Sequence, residues 1–141
     1  MHAWCHGAPG IGLARADVAA LADDAEIAAD LELALASTVA EGFGSNHSLC
    51  HGDLGNLELL LVARPEQAGP VAAGVLASIA DVGPQCGTPG RIETPGLMTG
   101  LAGIGHGLLR LHAPGSVPSV LLMRPPLPYP APAIVPSGAV V

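Results

Sequence analysis

Two short stretches combine residue types that bind metals. Cys5-His6-Gly7-Ala8-Pro9-Gly10 and Cys50-His51-Gly52-Asp53-Leu54-Gly55 match at an offset of 45, so a thiol, an imidazole and two glycines recur in one order. Thiolate and imidazole are the ligands Zn²⁺ prefers, and three protein ligands leave the fourth tetrahedral position to water or substrate. A thiol just ahead of a helix is also expected to titrate low, because the free N–H groups and the dipole favour the thiolate. The residues alone leave open a pair of unrelated buried cysteines or a disulfide. The periodicity leaves both His6 and His51 open as the nitrogen ligand.

Thiols 45 residues apart in sequence meet only if the intervening chain folds back. A third match, Arg91-Ile92-Glu93-Thr94-Pro95-Gly96, follows at a further offset of 41. Such a period marks stacked helix hairpins, and adjacent repeats would bring both thiols to one rim. Helices are expected over about 9–22, 24–40, 54–64, 70–82 and 94–112, punctuated by Gly and Pro. In the second, Ile27, Leu31, Leu35 and Val39 recur every four residues, with acidic residues opposite. The first, third and fifth are rich in Gly or Leu all round, which suits helices buried on most sides. The second and fourth suit an outer layer. Gly96, Gly100, Gly103 and Gly107 would clear one side of the fifth helix for a neighbour's backbone. Only 117–123 alternates with period two, as a short extended edge would. The chain reads as all-α, with a domain over 1–126 and a Pro-rich tail over 127–141, expected to be disordered.

Composition narrows the classes. Half of the 141 residues are hydrophobic, but only 2% are aromatic, so Ala, Leu, Val and Ile must build the core. Charged residues are 12%, roughly half the usual share, which implies a surface partly covered or a piece of a larger body. The net charge of -7, with no Lys, excludes a nucleic-acid footprint and a basic membrane face. No secretory signal is expected. The longest apolar run, Thr94 to Leu109, is broken by five glycines and a histidine, so no transmembrane segment is expected. Three cysteines without a signal point to a reducing, cytoplasmic setting.

Other candidates read plainly. Cys86 is expected in a loop as a free, non-essential thiol, and His2 and His112 on the surface. His47 is expected in a loop near the metal, His6 as a structural or outer group, and Trp4 beside the site. Asp53 and Glu58 fit a helix cap and a surface helix position.

The stretches Trp4-Cys5-His6-Gly7-Ala8-Pro9-Gly10 and Leu49-Cys50-His51-Gly52 resemble the two signature motifs of the lanthionine synthetase C-like family. The segments 46–56 and 95–105 resemble the C-terminal cyclase domain of class II lanthipeptide synthetases, and the likeness runs from Trp4 to about Pro126. It implies one Zn²⁺ held by Cys5, Cys50 and His51. It also implies an α/α toroid, an inner helix ring within an outer one, of which this chain would supply about three of roughly seven hairpins. The implied reaction is lanthionine and methyllanthionine ring formation. A cysteine thiolate of a dehydrated precursor peptide adds to a dehydroalanine or dehydrobutyrine of the same peptide. His106 stands where relatives carry an aromatic hydroxyl, so its role is open. The family's acid–base residues precede the first motif, and Met1 lies only three residues ahead of Trp4. Those groups are therefore expected upstream of Met1. The chain is expected to be a fragment, inactive alone, with the N-terminal part of the synthetase as a partner in trans. The alternative is a non-catalytic zinc-binding module, either a gene remnant or half of a split cyclase. A glutathione-binding, eukaryote-type member of the family would match 95–105 poorly.

Overall fold

The structure, a computed structural model, describes residues 2–19 and 21–122. Met1, the Pro-rich tail and the last residues of the expected domain lie outside them. Five helices follow one another: α1 (Ala8–Ala19), α2 (Ala25–Glu41), α3 (Asp53–Ala63), α4 (Pro65–Val82) and α5 (Leu101–His112), with a short 3₁₀ turn at Pro89–Arg91. The described residues are all-helical, as expected. They contain no strand, only an isolated bridge between Ala3 and His6.

Local chemistry explains α2. The Asp24 carboxylate accepts the N–H groups of Glu26 (2.8 Å) and Ile27 (3.2 Å), capping the first turn. The Gly42 N–H closes the last turn on the Thr38 carbonyl. Its buried stripe is Leu31, Ala34, Leu35 and Thr38; Val39, expected in that stripe, is exposed. Helix α1 ends at Ala19, short of the expected Ala22, and the N–H groups of Leu21 and Ala22 both bond the Val18 carbonyl.

Helices α1, α3 and α5 form an inner row with α3 in the middle, while α2 packs on α1 and α4 on α3 from outside. Leu54, Leu57, Leu59 and Leu60 of α3 are all buried, together with Leu13 of α1 and Ile104 of α5. Two glycines allow the close approach. A Cβ on Gly12 would lie 2.7 Å from a Leu59 methyl, and one on Gly107 would lie 3.0 Å from the Leu54 Cβ. The expected alternation of buried and outer helices holds fully only for α3. Helices α1 and α5 each have one inner neighbour among the described residues, and Ile11 (53%) and Leu109 (59%) remain exposed.

Three expectations are corrected. Pro65 opens α4 directly rather than only ending α3, and Pro70 lies inside that helix. Pro70 removes one N–H from the ladder at a place where it and Glu66 are both exposed. Helix α5 begins at Leu101, not Thr94, because the Thr94, Met98 and Thr99 carbonyls accept N–H groups from Leu101, Cys50 and Gly87. Residues 117–122 form a bend and a turn at 120–122 instead of a strand, with Leu121 folded into the core.

Glu58 is also misplaced by the surface reading. It is 4% exposed and pairs with Arg110 of α5, whose Nε and Nη2 each lie 3.0 Å from its Oε1. The Arg110 Nη1 donates to the carbonyls of Pro114 and Val117 (2.8 Å to the latter), tying the segment after α5 to α3. Removing one member of a buried pair strands the other, so Glu58→Ala should lower unfolding stability by about 3–5 kcal/mol. Glu32→Ala, at the exposed Arg64 pair, should cost under ~1 kcal/mol. Urea unfolding of both variants checks the contrast; equal losses would contradict it.

Candidate metal centre

Three loops enter the N-terminal ends of the inner helices, and their equivalence is visible in the hydrogen bonds. The Cys5 N–H donates to the Cys50 carbonyl (3.2 Å), and the Cys50 N–H donates to the Met98 carbonyl (2.8 Å). The Asp53 N–H reaches the Asn46 carbonyl (2.7 Å), as the Leu101 N–H reaches Thr94 (2.8 Å). Gly10, Gly55 and Gly103 each face the carbonyl of the residue six positions earlier (Trp4, Leu49 and Leu97), where a Cβ would overlap that oxygen. The third repeat is therefore Leu97-Met98-Thr99-Gly100, offset by 48 rather than 41 from the second. Met98 and Thr99 stand where the other loops carry cysteine and histidine.

This stacking gathers Cys5, Cys50 and His51, whose ligand atoms all lie within 4.8 Å of one another. Among the described residues no other group of three or more His, Cys, Asp or Glu is so arranged. Cys5 is exposed and Cys50 and His51 are half-buried, so the cluster opens at the rim. All three cysteines are free thiols. Zn–S near 2.3 Å and Zn–N near 2.0 Å put tetrahedral ligand atoms roughly 3.5–3.8 Å apart, within reach of side-chain rotation here. The donor set and the open side fit a three-ligand zinc site.

The thiol chemistry corrects one expectation. Burial first, then the hydrogen bond and the charge of the adjacent Cys5, push the Cys50 thiol up to about 11. Cys50 stands three residues ahead of α3, and burial outweighs the helix terminus. A nearby cation is what would bring the Cys50 thiol to the thiolate form at neutral pH.

The other His, Cys and Asp candidates stay outside the three-donor group. His6, the counterpart of His51 in the first loop, is exposed and stays out of the cluster. The His51 Nε2–H donates to the Gly87 carbonyl at 2.7 Å. Trp4 is half-buried against the core, and Cys86 is free and fully buried rather than merely a loop thiol. His2 is half-buried, with Nδ1 3.6 Å from a Glu41 carboxylate oxygen, and His112 is exposed. Asp53 is 4% exposed, and its Oδ1 accepts the N–H groups of Gly44 (3.0 Å) and Ser45 (3.4 Å). Burial raises its pKa against those bonds and the His47 charge. His106 is half-buried, and its Nδ1 has no hydrogen-bond partner. Gly87 and Thr99 support the site from the two neighbouring loops, a role that no local pattern announces.

His47 is buried, at 2% exposure, and accepts the Gln85 N–H on Nδ1 at 2.9 Å. Burial lowers its pKa from the usual histidine value, against the nearby Asp53 carboxylate and with help from Arg91. The unfolded chain thus takes the proton first, and stability present above about pH 6.5 is lost as pH falls toward the lower folded value. Thermal unfolding of wild type and His47→Asn between pH 8 and 5 checks this. The wild type should lose its margin over the variant at the acid end, and a pH-independent difference would contradict the assignment.

Among the described residues no helix is long and apolar enough to cross a membrane. No curated protein and no solved structure matches the chain. The family model described as lanthionine synthetase C-like protein matches residues 1–122, over the inner-row loops that assemble the Cys5, Cys50 and His51 cluster, and the chain belongs to that family.

Proposed function

We propose that this chain carries the zinc-binding part of a lanthipeptide cyclase, of the kind joined to a dehydratase in class II synthetases. It would close lanthionine and methyllanthionine rings in a dehydrated precursor peptide, in the cytoplasm. The observation that carries the reading is the convergence of Cys5, Cys50 and His51 from two equivalent loops of a lanthionine synthetase C-like chain.

Zinc bound there would supply a Lewis acid that favours the thiolate form of a substrate cysteine. Cys5 and Cys50 would hold the ion from adjacent loops, and His51 would hold it from the second loop alone. The exposed side of Cys5 leaves the peptide an approach. The reaction is an addition. The peptide thiol loses its proton, a carbon–sulfur bond forms at the β-carbon of the dehydro residue, and the α-carbon takes up a proton. No atom is lost.

The proton donor is the part we place elsewhere, on other hairpins of the toroid. Among the described residues no carboxylate or further imidazole joins the three donors. Exposed Ile11 and Leu33 on the α1–α2 side, and Leu101 and Leu109 on α5, support neighbouring hairpins at both ends of the inner row. Those hairpins could come from the same polypeptide or from a partner in trans. The second reading is a zinc-binding module without catalysis. Thioether formation on a dehydrated peptide, assayed with and without the remaining hairpins, separates the two.

A further inference from the structure

The segment Gln85-Cys86-Gly87, between α4 and the 3₁₀ turn, is held at every residue. The His47 backbone N–H donates to the Gln85 carbonyl, and the Gln85 N–H donates to the His47 Nδ1, both at 2.9 Å. That bond leaves Nε2 of His47 to carry the ring proton, and Nε2 lies 3.1 Å from the Ser78 Oγ of α4. Cys86 is fully buried. The Gly87 N–H donates to the Thr99 carbonyl at 2.8 Å, and its own carbonyl faces the His51 ring.

The contact with His51 has two parts. A carbonyl oxygen can only accept, so Nε2 of His51 is the N–H nitrogen and the Nδ1 lone pair stays free. The space is also closed: a Cβ on Gly87 would lie 2.8 Å from the His51 Nε2 and 2.5 Å from the Ser48 Oγ. Only glycine lets that carbonyl come so near the ring. Metal-bound histidines commonly donate their second N–H to a carbonyl, which sets the ring's tautomer and direction.

We propose that His47 and Gly87 are positioning residues for the metal ligand His51. Gly87 orients the ring so that Nδ1 is presented to the thiols, and His47 holds Gly87 in place through Gln85. This rests on the zinc reading given above. Neither residue touches substrate or ion; both act through the ring.

The Asn and Gln variants of His47 divide its two contacts. The shorter amide of His47→Asn keeps an acceptor near the Nδ1 position for the Gln85 N–H and gives up Ser78. His47→Gln extends toward Ser78 and leaves the Gln85 N–H unpaired. The full chain, reduced and metal-free, is titrated with Co²⁺ and then with Zn²⁺ in competition with a chelator, while thermal unfolding of each metal-free variant is followed. His47→Asn should bind within about threefold of wild type, and His47→Gln and Gly87→Ala should bind about 10–100-fold more weakly. The visible Co²⁺ bands of Gly87→Ala should shift while the sulfur charge-transfer intensity stays. In zinc-loaded protein with ¹⁵N-histidine, the His51 Nδ1 signal should carry the metal shift and Nε2 should keep its proton.

Equal affinities for the Asn and Gln variants, Gly87→Ala with the wild-type affinity and spectrum, or coordination through Nε2 would each overturn the positioning role. Each would leave the zinc reading standing. A wild-type chain that binds neither metal overturns both.

Discussion

The purified, reduced chain is expected to hold about one zinc, Cys50→Ala to lose it, and Cys86→Ala to keep it. Cys50 supplies one of only three donors within 4.8 Å of one another, and no other described His, Cys, Asp or Glu is placed to replace it. Two donors seldom retain an ion that a third had closed into a tetrahedral set. Cys86 is as much a thiol but is fully buried in the core and outside the cluster. Replacing it removes one sulfur's packing, a cost on the order of 1 kcal/mol. The two variants should therefore separate metal from stability. Cys50→Ala loses the ion while its metal-free unfolding midpoint stays near wild type; Cys86→Ala keeps the ion and unfolds earlier. Zinc in 1000-fold excess over its dissociation constant should stabilise wild type by about 4 kcal/mol and leave Cys50→Ala unmoved. Metal analysis and unfolding with and without zinc measure both effects. Equal metal loss from the two variants, or none bound by wild type, would remove the site.

What could be read from the residues was mostly what short range decides. Asp24 and Gly42 mark the ends of α2 because their bonds reach only two to four residues along the chain. The first two loops announce themselves because a glycine is needed opposite the Trp4 and Leu49 carbonyls, and the thiols keep the register. The third loop keeps that glycine, Gly103, but replaces thiol and imidazole with Met98 and Thr99. A match keyed on Pro-Gly then slides to Arg91–Gly96, and α5 is started too early at Thr94. The carbonyls that stop it from starting there bond Cys50 and Gly87, across the stack rather than along the chain. Glu58 reads as a surface carboxylate because its partner Arg110 lies 52 residues away. The Cys50 thiol titrates high for the same kind of reason: a helix terminus is local, while burial and the Cys5 thiol belong to the assembled rim.

The largest effect should appear in catalysis. The chain alone, zinc-loaded, is expected not to cyclise a dehydrated peptide at a useful rate, and addition of the remaining hairpins of the toroid is expected to restore ring closure. On the proposed reading the cluster would serve the thiol, while the α-carbon must gain a proton when the carbon–sulfur bond forms. A positioned acid typically contributes 10²–10⁴-fold, and no described carboxylate or further imidazole stands with the three donors. Positioning of the two ends of the peptide is a second deficit. The inner row here is three helices wide, and its outer members leave Ile11 and Leu109 uncovered, so nothing described encloses the substrate. Orientation within a closed site can supply several further kcal/mol of a ring-closing barrier. The measurement is thiol alkylation followed by mass spectrometry of the peptide, because each thioether formed protects one cysteine. Rescue in trans should require zinc and should vanish with Cys50→Ala in this chain, since the added hairpins bring the acid and the walls but not these ligands. Zinc-dependent cyclisation by the 141-residue chain alone, lost in Cys50→Ala, would mean that the proton donor lies within it. His106, whose Nδ1 is buried without a partner on α5, would then be the first residue to replace.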